Sequence, residues 1–307
     1  MGSPGPPPTP TTSVPSLPPR AEDTHKTQVG CVALVAGSRG MSGAACLAGL
    51  GALRGGAGLV RVHTPVSVQP IVAASDPCLM TVPLPETEAG QVRRDAWEAV
   101  LADSLGWADV VGLGPGIGQS ADTAELVRKV IAGCAHPLVL DADGLNNVAA
   151  VGTVVWLARD ERPTVITPHP GELNRLLVGA GLPKLSGSDD ASRLSAAHAY
   201  AVAARVTVVL KGHRTVVCTP EQAFVNTSGN PGMATGGMGD VLTGLIAALL
   251  GQGLSPFDAA RLGVYVHGLA GDRCAKQIGP VGFLARDVAE LLPAALAQAS
   301  PPPMGFK

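Results

Sequence analysis

Aromatic side chains are scarce, at 3% of a 307-residue chain, and several other signatures are missing altogether. There is no long run of one charge, and the formal net charge is −2. A nucleic-acid binder gains its affinity by neutralising phosphates with clustered basic residues, so that class is excluded. The six cysteines (Cys31, Cys46, Cys78, Cys134, Cys218 and Cys274) stand singly, with no C-x-x-C pair. That excludes a zinc ribbon or a disulfide framework and reads as the reduced thiols of a cytoplasmic protein. The longest apolar stretch, residues 241–250, is interrupted by Gly244 and too short to span a bilayer. The N-terminus lacks the charged start and apolar core of a secretory signal. What is abundant is glycine (39) and aliphatic residues, with hydrophobics at 46%. Small side chains allow helices to pack closely and let backbone approach a ligand.

Residues 1–28 carry eight prolines among Ser and Thr, which predicts a disordered leader. Residues 300–307, with Pro301, Pro302 and Pro303, read as a flexible tail. Between them, over residues 29–299, short β-branched runs alternate with Ala-rich helical stretches, and no linker interrupts them. Strands are expected at 29–35, 59–63, 109–113, 137–140, 164–167 and 206–210. A hairpin is expected at 215–219 and 222–226. Helices are expected at 42–55, 121–132, 191–204, 241–251, 256–277 and 286–298. This alternation implies one α/β domain with a mainly parallel sheet covered by helices on both faces. Ligands of such sheets gather beyond the carboxyl ends of the strands.

The motifs with chemical content sit at those ends or at a helix start. Residues 235–240, TGGMGD, place three glycines before an apolar helix, so uncovered N–H groups and the helix dipole can hold an anion. Asp240 there could simply cap the helix. A cap, however, does not need Gly236, Gly237 and Gly239 together, and a carboxylate beside an anion cradle suits phosphoryl transfer. Residues 112–118, GLGPGIG, formally begin a dinucleotide fingerprint, with Asp141 or Asp143 at the expected distance. Pro115 and the motif's place late in the chain leave a simple ligand-facing turn as the alternative. Residues 37–43, GSRGMSG, lack the Gly-Lys-Ser/Thr ending of a Walker loop. In TPHPGE (167–172) two prolines fix the directions of His169 and Glu172, either as a rigid turn or as ligand contacts. In LKGHRT (210–215) Lys211 can neutralise phosphate and Gly212 allows a tight turn, although a solvated turn explains the same residues. No G-x-S-x-G or metal-ligand histidine spacing is present.

In this order, residues 32–62, 112–118, 140–146, 167–172, 210–215 and 229–245 resemble the NAD(P)H-hydrate dehydratase family of the ribokinase-like superfamily. The resemblance implies a ribokinase-like three-layer sandwich. It also implies an ADP- or ATP-dependent dehydration of (6S)-NADHX and (6S)-NADPHX, with the bacterial ADP-dependent type favoured. By motif position, Ala44, Gly116, His169 and Asp240 would contact the hydrated dinucleotide. Lys211, Gly212, His213, Arg214, Thr215 and Gly239 would contact the adenine nucleotide. Asp240 would be the catalytic base, with Gly236, Gly237 and Gly239 stabilising developing charge. The resemblance further implies Mg²⁺, its protein ligands unassigned and Glu172 helping indirectly, and a homo-oligomer, often a tetramer. Met238 stands where many members carry Thr or Ser, and this is expected to matter little because the cradle works through backbone. The family's frequent fusion to an epimerase domain is expected to be absent, the leader being too short to hold one. A ribokinase-like kinase of a vitamin precursor or sugar, or a non-catalytic nucleotide-binding protein, are the alternatives.

Overall fold

The computed structural model describes residues 5–152, 154–159 and 162–300. Among these, ten strands form a single sheet. Seven run parallel, out to the β4 edge: β2 (Cys31–Val35), β3 (Leu59–Pro65), β4 (Met80–Leu84), β5 (Val110–Leu113), β6 (Leu138–Leu140), β7 (Thr164–Ile166) and β8 (Thr207–Leu210). The expected hairpin is present as antiparallel β9 (Val216–Cys218) and β10 (Ala223–Val225). With β1 (Pro10–Thr11), the order across the sheet is β1-β10-β9-β8-β7-β6-β5-β2-β3-β4.

Side chains alternate across each strand, and two apolar cores follow from that alternation. Val32, Leu34, Val62, Val110 and Val209 face α1 (Ser42–Arg54), α9 (Met238–Gly251), α10 (Pro256–Gln277) and α11 (Ala285–Ala299), with α2 (Gln69–Ser75) at the margin. Ala33, Val35, Leu113, Leu140, Val208 and Leu210 face the other layer. That layer holds α3 (Trp97–Leu105), α4 (Ala121–Gly133), α5 (Asp143–Val151), α6 (Val154–Leu157), α7 (Pro170–Gly179) and α8 (Asp190–Ala204). Every β2 residue is buried, as a strand covered on both faces must be. This is the three-layer, mainly parallel α/β sandwich that the sequence implies.

Glycine brings α1 and α9 into backbone contact. A Cβ on Gly244 would lie 1.9 Å from the Ala48 carbonyl, and one on Gly51 would lie 2.3 Å from that of Val241. The N-terminus of α9, with Asp240, is thereby set against the helix that carries Ala44.

The leader is corrected. Of the stretch expected to be disordered, Pro10 and Thr11 pair in parallel with Ala223 and Phe224, and Val14 and Leu17 pack on the core. Leu17 N–H donates to Ser300 Oγ at 2.8 Å, and Arg20 Nη2 to Gln252 Oε1 at 2.9 Å. Proline is tolerable in β1 because an edge strand has no outer ladder to complete. Residues 301–307 of the expected tail lie outside the described residues.

Candidate active site

Because β8, β7, β6, β5 and β2 are parallel neighbours, their carboxyl ends line one rim of the sheet. At 4.7–4.9 Å per strand the row runs about 19 Å. It reads, from one end, Lys211–Thr215, His169–Glu172, Asp141–Asp143, Gly114–Gly118 and Gly37–Ala44. The N-terminus of α9 faces the middle of this row. Motifs dispersed over two hundred residues of chain thus become neighbours along one rim.

At the β8 end, Lys211, Gly212, His213, Arg214, Thr215 and Gly239 all line one cavity of ≈ 480 Å³. All six residues expected to contact the adenine nucleotide are therefore together. Met233, Leu242 and Val264 give the cavity an apolar wall. Met238 is buried and also lines it, so its side chain, expected to matter little, contributes to the wall. His267, from α10, completes the lining. Burial pushes its imidazole down to about 4, so it is uncharged at neutral pH.

Asp141, 1% exposed, is the polar centre of the rim. Its Oδ1 accepts from Lys211 Nζ at 2.6 Å and its Oδ2 from the buried Thr243 hydroxyl at 2.7 Å. Lys211 Nζ also lies 3.9 Å from Glu172 Oε2. Burial works against the Lys211 charge, but Asp141 and then Glu172 outweigh it and hold the ammonium above its ordinary range. Glu172, buried, moves up because burial penalises its charge, with Lys211 opposing and Asp141 adding to the shift. Ala142, between Asp141 and the start of α5, has φ 51° and ψ −121°. A non-glycine residue in that region is strained, and such strain gathers at functional turns.

Asp240 is half-buried and is not the helix cap. The N-cap is Gly237 at φ 89°, without a side-chain cap hydrogen bond, and Asp240 is the third residue of α9. The first turn keeps its N–H groups open to a ligand. Burial, reinforced by Asp141 and offset in part by Lys211, raises the Asp240 carboxyl to about 7. Gly239 brings backbone close to the ion pair, since a Cβ there would lie 3.3 Å from Lys211 Nζ and 3.6 Å from Asp141 Oδ2. Gly236 is exposed, with nothing within 4 Å of a Cβ built on it, so its glycine is not required by a close approach of neighbouring atoms.

His169 is the N-cap of α7, its Nδ1 accepting from Gly171 N–H at 3.0 Å and Glu172 N–H at 3.3 Å. Glu172 Oε2 accepts the His169 N–H at 2.7 Å. The rigid-turn reading of TPHPGE therefore holds, and the turn still sets His169 beside Glu172 on the rim. Gly116, at φ 64°, touches α1 through Ala44: a Cβ on it would be 2.9 Å from Ala44 Cβ. The turn is fixed by Ser38 Oγ donating to the Gly116 carbonyl at 2.7 Å and by Gly118 N–H donating to Asp143 Oδ2 at 2.9 Å. Asp143 is consumed by the turn, and helix α4 starts only after Ser120. The 112–118 motif is thus a tight turn packed against the start of α1, and the dinucleotide-fold reading is set aside.

The sequence did not disclose the parts that join these motifs: Thr243, Arg193 on α8, and the role of Asp141 as the shared acceptor. Asp141 had a weak signal, as an acid just after a buried strand. Arg193 and Thr243 had none.

The chain matches the model of the NAD(P)H-hydrate dehydratase family over residues 32–294. It belongs to that family. It is 37% identical over 278 residues to the ADP-dependent (S)-NAD(P)H-hydrate dehydratase of Xanthomonas campestris, covering 88% of this chain and 89% of that one. It is 45% identical over 278 residues to the bifunctional NAD(P)H-hydrate repair enzyme Nnr of Moorella thermoacetica, covering 90% of this chain and 51% of that protein. The chain spans about half the length of such bifunctional relatives. A ribokinase-like superfamily protein of Enterococcus faecalis has the same fold, with a TM-score of 0.76 at 29% identity and 93% of both chains covered. The ADP/ATP-dependent NAD(P)H-hydrate dehydratase of Bacillus subtilis, co-crystallised with ATP/Mg²⁺, gives a TM-score of 0.75 at 29% identity, covering 93% of this chain and 95% of that one. For this member of the NAD(P)H-hydrate dehydratase family, the rim at the strand ends is the place to look for chemistry.

Proposed function

We propose that this protein dehydrates (6S)-NADHX and (6S)-NADPHX to NADH and NADPH at the expense of ADP. The observation that carries the reading is Asp240, a carboxyl raised to about 7 at an uncapped helix N-terminus beside Lys211. A base with that pKa can take a hydroxyl proton at neutral pH. The adenine nucleotide occupies the cavity lined by residues 211–215 and Gly239. The hydrated dinucleotide lies along Ala44, Gly116 and His169, and Asp240 stands where the two meet.

Asp240 withdraws the proton of the C6 hydroxyl as its oxygen attacks the terminal phosphoryl group of ADP, releasing AMP. The charge that builds on the transferring group is stabilised by the N–H groups of Gly237 and Gly239, with Gly236 in the same turn, and by Lys211. The lone pair of the ring nitrogen then expels phosphate from C6, and loss of a proton from the neighbouring ring carbon restores the double bond. Phosphorylation converts hydroxide, a poor leaving group, into phosphate, a good one.

Among the described residues no three His, Cys, Asp or Glu side chains form a closed metal site. The donors at hand are the hard carboxylate oxygens of Asp141 and Glu172, in a rim where carboxylates outnumber the Lys211 ammonium they share. That suits Mg²⁺, which takes one or two carboxylates and completes its shell with phosphate and water. When bound it would neutralise phosphate charge. The deciding assay follows the return of reduced-nicotinamide absorbance from NADHX and Mg²⁺ with ADP, with ATP and with neither. Return that needs no nucleotide, or a stable phosphorylated product, would sink the reading. Assembly as a homo-oligomer, a tetramer, belongs to the same proposal. Among the described residues no helix is long and apolar enough to cross a membrane.

A further inference from the structure

Arg193 lies on α8, on the side of the β8 loop away from the cavity, and is 6% exposed. Its guanidinium donates to backbone carbonyls of that loop. Nη2 reaches the Leu210 carbonyl at 3.0 Å and that of Lys211 at 3.3 Å, and Nη1 reaches that of His213. A buried arginine with its donors on carbonyls orients peptide groups, because a trans peptide is planar and its N–H points opposite to its C=O. Turning the Lys211 carbonyl toward α8 turns the Gly212 N–H away from it. Turning the His213 carbonyl the same way does so for the Arg214 N–H. The cavity lined by Gly212, His213 and Arg214 lies on that opposite side, against α9 and α10. The backbone conformations agree: Gly212 has φ +145°, a Cβ on it would lie 3.0 Å from Arg193 Nη2, and Arg214 is held left-handed at φ 54°.

We infer that Arg193 is a positioning residue of the nucleotide site, holding two peptide planes so that the N–H groups of Gly212 and Arg214 serve as donors to the anionic part of the nucleotide. This rests on the reading of the cavity as the nucleotide site. Arg193 touches no ligand itself. Its loss frees the two planes to rotate, so the effect falls on the phosphates and spares the nucleoside.

The test is calorimetric binding of ADP and of adenosine to the full chain, with steady-state kinetics alongside. Arg193→Met keeps most of the apolar stem and removes the donors. It should weaken ADP binding about tenfold or more, the usual scale for losing hydrogen bonds to a charged group. Adenosine binding and kcat at saturating ADP should stay within about twofold, the change appearing in KM. Arg193→Lys, which can still reach one carbonyl, should recover part of the ADP affinity. Should Arg193→Met not fold, Gly212→Ala disturbs the same plane from the other side and should give the same ADP-selective loss. Equal weakening of ADP and adenosine, or a fall in melting temperature with the binding ratio unchanged, would make Arg193 merely structural and overturn the inference. Wild-type protein that binds no ADP overturns the nucleotide reading itself. Wild-type binding with unaltered variants overturns the Arg193 role alone.

Discussion

At the residue scale, Asp240 decides most. A carboxyl at about 7 is half-ionised at neutral pH, and only the ionised form can accept a proton. The turnover rate should therefore fall about tenfold for each pH unit below that value and level off above it. Asp240→Asn should lower kcat by roughly 10²–10⁴ while nucleotide affinity holds; an Asn variant with full rate would remove the base assignment. The same shift has a consequence for stability with the opposite pH preference. The folded carboxyl titrates near 7 and the unfolded one near 3.8, so the folded state binds the extra proton between those values. Stability from this group is present below the lower value and is lost as pH rises through the upper one. Asp240→Asn should accordingly raise the melting temperature at pH 8 by a few degrees and change it little at pH 4. Equal effects at both pH values would contradict the burial that drives the shift. Function at this position is thus held against stability.

At the element scale, the glycine face between α1 and α9 carries the site. Any side chain on Gly244 must displace the Ala48 carbonyl, a backbone atom that cannot turn aside. Gly244→Ala should therefore cost about 3 kcal/mol in denaturant unfolding, the upper part of the usual overpacking range. It should also reduce activity, because α9 carries Gly239 and Asp240. Unchanged unfolding and activity would mean that the two helices are less closely apposed. The elements themselves were largely readable. Strands such as residues 31–35 are β-branched runs buried on both faces, and residues 42–54 and 256–277 carry helical spacing. The two missed strands, Pro10–Thr11 and Met80–Leu84, contain Pro10 and Pro83, and proline marks an interior strand as improbable but suits the two sheet edges where these lie. The first turn of α9 begins at Met238, three residues before the apolar run, because Gly237 at positive φ starts the helix instead of a side-chain cap. That is why a cap stood as the alternative role for Asp240 from its sequence position.

At the scale of the whole molecule, the sequence discloses each motif and conceals their adjacency. Backbone-driven turns announce themselves through glycine and proline. The contacts joining them do not, for Asp141 meets Lys211 seventy residues on and Thr243 over a hundred on. Strand order, unlike chain order, makes them neighbours. The leader shows the same limit: its proline content reads as disorder, yet it borders the sheet and reaches α10 through Arg261 Nη1, which donates to the Ser13 carbonyl at 2.9 Å. Deleting residues 5–20 should then lower the melting temperature by several degrees while leaving kcat within about twofold, since the leader's hydrogen bonds go to Gly56, Gln252, Arg261 and Ser300 and not to Asp141, Lys211 or Asp240. Nucleotide should act in the other direction. A ligand that binds only the folded chain stabilises it by about 2.7 kcal/mol at a hundred times its Kd, about 4 °C for a chain of this length. ADP with Mg²⁺ should give that rise, and adenosine, lacking the phosphates that Lys211 and the 211–215 loop would hold, a smaller one. If adenosine matched ADP at equal concentration, the polar half of the cavity would contribute nothing, and the placing of phosphate beside Lys211 would have to be abandoned.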